Sequence, residues 1–169
     1  MKITVQALSV DVFANSLGNL SAILEKGLAH ATARKFDPAV LVNSRLAPDM
    51  LPLSRQVQIA CDNAKNGTAR LAGLEPPRFE DNEKTIEELR ARIAKTVDYL
   101  KSIPANAFEG SEDREFKVPV GPEKFLDFKG LDYLQRWAIP NVFFHITTAY
   151  AILRHNGVEI GKRDYLGGR

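Results

Sequence analysis

Two histidines, His145 and His155, lie ten residues apart in the run Asn141-Val-Phe-Phe-His-Ile-Thr-Thr-Ala-Tyr-Ala-Ile-Leu-Arg-His155, which Asn156-Gly157 closes. Imidazoles on a core-facing helix raise the question of a metal site. A regular helix turns 100° and rises 1.5 Å per residue, which leaves this pair about 80° from a common direction and about 15 Å apart. One ion cannot join them. Metal-binding pairs on a helix sit at i, i+3 or i+4, but Thr148 and Ala149 follow His145, while Ala151 and Ile152 precede His155. His30 falls near the end of an earlier helix, where a cation favours the dipole. All three read as packed or capping side chains, and no resident metal or other cofactor is expected.

A second constellation is polar. Gln58 and Asp62 stand one turn apart on one helix, and Asn141, His145 and Thr148 line one face of another. If both faces point inward they form a polar ligand pocket, because buried polar groups must satisfy one another or bind something. In the opposing reading Asp62 faces solvent and Asn141 serves the backbone freed around Pro140. Arg45 and Asp49, on the connection before Gln58, either close the pocket mouth or form a surface ion pair of little energetic value. The acidic run Glu80–Glu88 reads as a solvated helix start. Cys61 has no CxxC partner and reads as a packed thiol. There is no glycine-rich phosphate loop, GxSxG or HExxH.

Four amphipathic segments would position these groups. Phe13, Leu17, Leu20, Leu24 and Leu28 make one helical stripe that ends near Arg34. Asp37-Pro38 places a cap before a proline, which predicts a short helix through Leu41. The second long helix runs from Leu53 to just before Gly73, with an inner face of Val57, Ala60, Ala64 and Leu71 beside Cys61 and Thr68. Thr85-Ile-Glu-Glu88 is a capping-box pattern; Ile86, Leu89, Ile93, Val97 and Leu100 follow, and Pro104 stops the third helix. The period then falls to two: Phe116, Val118 and Val120 alternate with polar residues or proline, Gly121-Pro122 turns, and Phe125–Phe128 returns as a hairpin. The fourth helix spans about Leu131 to His155, and Pro140 should kink it near Trp137. A long first connection and a hairpin before the last helix predict an antiparallel four-helix bundle.

The chain has 169 residues and 44% hydrophobic content, enough for one domain with a core, over residues 1–169. Its net charge of +2 is spread along the chain, so no nucleic-acid footprint is expected. One cysteine, no leader pattern and no run of about 18 apolar residues predict a cytoplasmic protein without a membrane partner. Trp137, Phe143 and Phe144 cannot all face one bundle interior, which predicts a homodimer through the first or last long helix.

Three stretches carry a resemblance: Asn43 through Lys65, Phe143-Phe-His-Ile-Thr-Thr-Ala-Tyr-Ala-Ile-Leu-Arg-His-Asn-Gly157, and Gly161-Lys-Arg-Asp-Tyr-Leu-Gly167. They resemble a family of uncharacterised bacterial proteins, a domain of unknown function, similar to the DinB/YfiT-like helical bundles. The resemblance spans essentially the whole chain. It implies an all-α DinB/YfiT-like bundle with a small β-hairpin between helices three and four. The wider superfamily implies a divalent metal on three histidines and members that include thiol-dependent transferases and isomerases. Carried over, the first histidine falls on Gln58. The other two fall on His145 with Ala149, or on Ala151 with His155. In either register the usual three-histidine site is absent.

Two function classes stay open. One is a binding or association protein whose polar pocket (Gln58, Asp62, Asn141, His145, Thr148) takes a small-molecule ligand. The other is a transferase or isomerase with a noncanonical or metal-assisted site around His145. The sequence alone does not decide between enzyme and binding protein.

Overall fold

The computed structural model describes residues 3–168. Four long helices make the body: α1 (Val12–Arg34, entered through a π-turn over Ala7–Asp11), α3 (Leu53–Leu71), α4 (Ile86–Ser102) and α6 (Ile139–His155). Shorter α2 (Ala39–Asn43), α5 (Gly130–Tyr133) and α7 (Lys162–Tyr165) join them, with a 3-10 turn at Ala105–Phe108. Strands β1 (Glu115–Gly121) and β2 (Lys124–Lys129) form one antiparallel hairpin before the last long helix. The fold is all-α with that hairpin, as expected, but it holds more helices than four.

The helices form where the apolar spacing puts them. Phe13, Leu17, Leu20 and Leu24 of α1 are wholly buried, as are Val57, Ala60, Cys61, Ala64, Thr68 and Leu71 of α3. Helix α4 starts on a complete capping box: Glu88 N–H donates to Thr85 Oγ1, and Glu88 Oε2 accepts from Thr85 N–H. Helix α6 stops on a Schellman motif, with Gly157 at φ 85, Val158 N–H donating to Leu153 O and Gly157 N–H to Arg154 O.

Side-chain contacts give the helix directions. Gln56 meets His145, and Gly67 faces Ala138, so α3 and α6 are antiparallel. Arg90 meets Ser21 and Glu25, and Ala105 and Phe108 lie beside Val5 and Leu8, so α1 and α4 are antiparallel too. The other two walls are parallel. Gly27 packs on Leu153 while His30 lies beside Gly157, and Gln58 meets Glu83 while Leu71 meets Arg114 beyond the end of α4. The uniformly antiparallel bundle expected from the sequence is therefore corrected. Residues 72–85 run back along α3, so α4 starts where α3 starts.

The last long helix carries a backbone defect near Trp137, where Pro140 was expected to kink it. A π-turn over Leu134–Ala138 lies just before the proline and absorbs its missing N–H. Asn141 Nδ2 donates to Trp137 O at 2.7 Å beside it. In the hairpin, Phe116 and Phe128 pack edge-on against Tyr133, with ring centroids at 5.0 and 5.5 Å. The register slips between Pro119 and Gly121, and Val120, expected on the inner face, is 41% exposed. The segment Ala7–Arg34 is long and apolar enough by length and composition to cross a membrane. In this fold its apolar face is one wall of the core.

Two glycines test this packing. A Cβ on Gly130 would lie 1.8 Å from the Ser111 carbonyl oxygen, whereas one on exposed Gly18 would meet nothing within 4 Å. Gly130→Ala should lower stability by about 3 kcal/mol through backbone displacement. Gly18→Ala should raise it by roughly 0.5–1 kcal/mol. Urea midpoints of the two variants check both signs.

Candidate functional site

Gln56 and Gln58 stand two residues apart on α3, about 200° around the helix. They therefore open two different polar sites. Gln56 is 2% exposed, and its Nε2 donates to Leu51 O at 3.0 Å. That bond turns Oε1 toward α6, where it lies 2.8 Å from His145 Nδ1. Since Oε1 can only accept, Nδ1 carries the proton and Nε2 keeps its lone pair. Burial also depresses the His145 pKa below its ordinary 6.5, so the ring is neutral at pH 7. Phe144 stands edge-on to it, with centroids 5.1 Å apart.

The second site centres on Arg92 of α4, whose side chain is 1% exposed. Asp62 Oδ1 lies 3.0 Å and Asp81 Oδ1 2.9 Å from Nη2, and Glu83 Oε1 lies 3.0 Å from Nη1. Nη1 also donates to Glu80 O at 2.9 Å. The Nη2 contacts lie off the N–H direction, so Nη2 and Asp62 Oδ1 attract as charges without an aligned hydrogen bond, and Nε has no partner at all. Gln58 completes the cluster: Arg55 Nη1 donates to its Oε1 at 2.7 Å, and its Nε2 donates to Glu83 Oε2 at 2.8 Å. Burial opposes the charge on Asp81, but the Arg55 hydrogen bond and the Arg92 charge outweigh it and hold that carboxyl below its ordinary range. Beside Arg92, burial pushes the Cys61 thiol up to about 12, which leaves it protonated and inert.

The expected five-residue pocket is thus divided. His145, Asn141 and Thr148 share a face of α6, but Gln58 and Asp62 turn away from it toward Arg92. Asp62 is half-buried and binds Lys65 at 3.1 Å as well as Arg92, rather than facing solvent alone. Asn141 serves the backbone near Pro140, and Thr148 Oγ1 donates to Phe144 O at 2.8 Å. Arg45 donates to Pro48 O. The acidic run is corrected too: Glu87 and Glu88 occupy the first turn of α4, but Asp81 and Glu83 face Arg92.

Sequence reasoning missed Gln56 and Arg92. Arg92 had a readable signal, since it follows Leu89 by three residues on the apolar face of α4. Gln56 had none beyond its one-turn distance from buried Leu53 and Ala60.

The metal that the fold family implies does not fit here. The residue that meets His145 from α3 is Gln56, not Gln58, and the next turn of α6 offers Ala149, so one imidazole stands where three are needed. Among the described residues no group of three His, Cys, Asp or Glu could hold an ion.

Residues 6–166 match the family described as "Domain of unknown function (DUF1993)". The chain is similar to a crystal structure of a DinB family member protein from Shewanella denitrificans at 1.83 Å resolution. The two are 48% identical with a TM-score of 0.89, over 97% of this chain and 92% of that one. No curated protein matches.

The geometry makes the missing ligands replaceable. Gln56→His with Ala149→His should bind about one zinc per chain, at a packing cost of roughly 1–3 kcal/mol from the larger side chain at Ala149. The wild-type chain should bind none tightly. Elemental analysis after purification decides this; a stoichiometric metal on the wild type would contradict it.

Proposed function

We propose that this chain, which belongs to the family described as Domain of unknown function (DUF1993), binds a small molecule beside the Gln56–His145 pair. The observation that carries the reading is the fixed tautomer. Gln56 holds His145 Nδ1–H, which aims an unused, half-buried lone pair on Nε2 outward from that bond. The Thr148 hydroxyl already donates to Phe144 O, and Asn141 Nδ2 commits one of its two N–H groups to Trp137 O. What this face of α6 offers a ligand is therefore chiefly acceptors, Asn141 Oδ1 and His145 Nε2, with one Asn141 N–H beside them and Thr148 buried behind. The matching ligand presents donors, hydroxyls or an amine.

A second reading has one observation in its favour. A neutral histidine with a free Nε2 and a depressed pKa is also a general base at pH 7. A transferase or isomerase would use it to take a proton from a bound nucleophile while Gln56 keeps the ring in place. The single buried thiol and the core role of α1 suit a cytoplasmic protein.

Mutation separates His145 from His155. His145→Ala should abolish the thermal shift given by any donor-rich hit from a small-molecule screen. His155→Ala should retain it and cost about 1 kcal/mol or less, because His155 only serves the α6 terminus. The wild-type shift should weaken below pH 6.5, as His145 gains a proton and Nε2 stops accepting. If His155→Ala loses the shift and His145→Ala keeps it, the site is misplaced.

We also propose a homodimer through α6, supported by exposed Phe144 and half-buried Phe143 on that element and by half-buried Trp137 in the π-turn before it. Light scattering at micromolar concentration should give about twice the chain mass of 18.8 kDa, and Phe144→Glu should return the monomer. A wild-type monomer would end this part of the reading.

A further inference from the structure

The segment 75–84 lies over α3 and α4 with no backbone–backbone hydrogen bond of its own among the described residues. It starts after Gly73, whose φ of 68 sets the turn, stiffens at Pro76-Pro77, and ends at the Thr85 cap. Side chains hold it. Asp81 meets Arg55 and Arg92, Glu83 meets Arg92 and Gln58, and the Phe79 ring takes Lys65 Nζ at 4.3 Å and Lys95 Nζ at 4.1 Å on its π system.

The wall beneath is strongly cationic. Arg55, Lys65, Arg92 and Lys95 come from α3 and α4, and those helices answer with Asp62 and, at the edge, Glu88, whose carboxylate the Lys84 and Thr85 N–H groups already hold. The strap supplies the remaining negative charge. A strap with a purely structural role would be better served by apolar packing, since buried ion pairs add little net stability over apolar side chains of the same size. The wall is also left partly unmatched: Arg92 Nε and Nη2 and Oδ1 of Asp62 on α3, all buried, lack an aligned partner.

We infer that the α3–α4 wall around Arg92 is a binding groove for a compact dianion, which the strap fills as an internal ligand through Asp81 and Glu83. The ligand class follows from what the strap presents: two negative groups within reach of Arg92, with Arg55 and Lys95 flanking. A small dicarboxylate or a phosphate meets that description. Binding requires the strap to lift about Gly73 and Thr85, so ligand and strap compete. This groove is separate from the His145 face and stands or falls apart from it.

The test uses tryptic cleavage after Arg78 and Lys84 in the full chain as the measure of strap opening. Inorganic phosphate and succinate, each against chloride at equal ionic strength, should speed cleavage of the wild type several-fold, because the anion traps the open strap. Phe79→Ala, which leaves every charge in place, should open the strap. It should bind whichever dianion the groove prefers at least tenfold more tightly than the wild type by calorimetry. Adding Arg55→Ala and Lys95→Ala, both outside the buried core, should remove that binding while circular dichroism stays unchanged. Response to succinate alone marks a dicarboxylate groove, and response to phosphate alone a phosphate groove. The inference is overturned if neither anion changes wild-type cleavage, or if folded Phe79→Ala binds neither.

Discussion

A guanidinium inside a helical wall has to be neutralised, and Arg92 imposes that requirement on the whole α3–α4 side of the bundle. Three carboxylates reach it, from α3 and from the segment between α3 and α4. Removing Arg92 strips these acids of the cation they share, which costs several kcal/mol where keeping the set intact gains little. The constraint therefore acts on chain path more than on stability. It draws residues 75–84 back along α3 and brings α4 in parallel to it, which converts an expected antiparallel bundle into one with two parallel walls.

The same constraint explains what the sequence discloses. Helices were legible because burial repeats at 3.6 residues: Phe13 to Leu24, Val57 to Leu71 and Ile86 to Leu100 all face the core they predict. The capping box at Thr85 and the stop at Gly157 were legible because each rests on local hydrogen bonds. Direction was not, because the acids that meet Arg92 across the connection look in the sequence like a solvated helix start. The π-turn was half legible: Pro140 forecast a defect, and only the neighbouring backbone decided that a π-turn would absorb it.

The candidate site shows the same limit at finer grain. Asn141, His145 and Thr148 were placed on one face by spacing alone, and they share it. Gln58 and Asp62 were placed one turn apart correctly, but spacing within one helix cannot say which neighbour that face meets. Two residues along α3 reverse the answer, because Gln56 points to α6 and Gln58 to α4. The resemblance could not repair this, since a histidine absent from the sequence leaves the register of the comparison free by two residues.

That pair of glutamines makes the first turns of α3 a junction between both polar sites. Gln56 sets the tautomer of His145, and Gln58 holds Glu83 and Arg55 beside Arg92. Between them lies Val57, wholly buried, and one turn on lies Ala60, also wholly buried. A close-packed stretch of this kind passes displacement to its neighbours rather than absorbing it, because native packing leaves few voids to collapse. The lone pair on His145 Nε2 and the charge balance at Arg92 are thus held by adjacent side chains of one rigid turn. The two sites differ in chemistry, one built from acceptors and the other from cations, yet they share the same mechanical support.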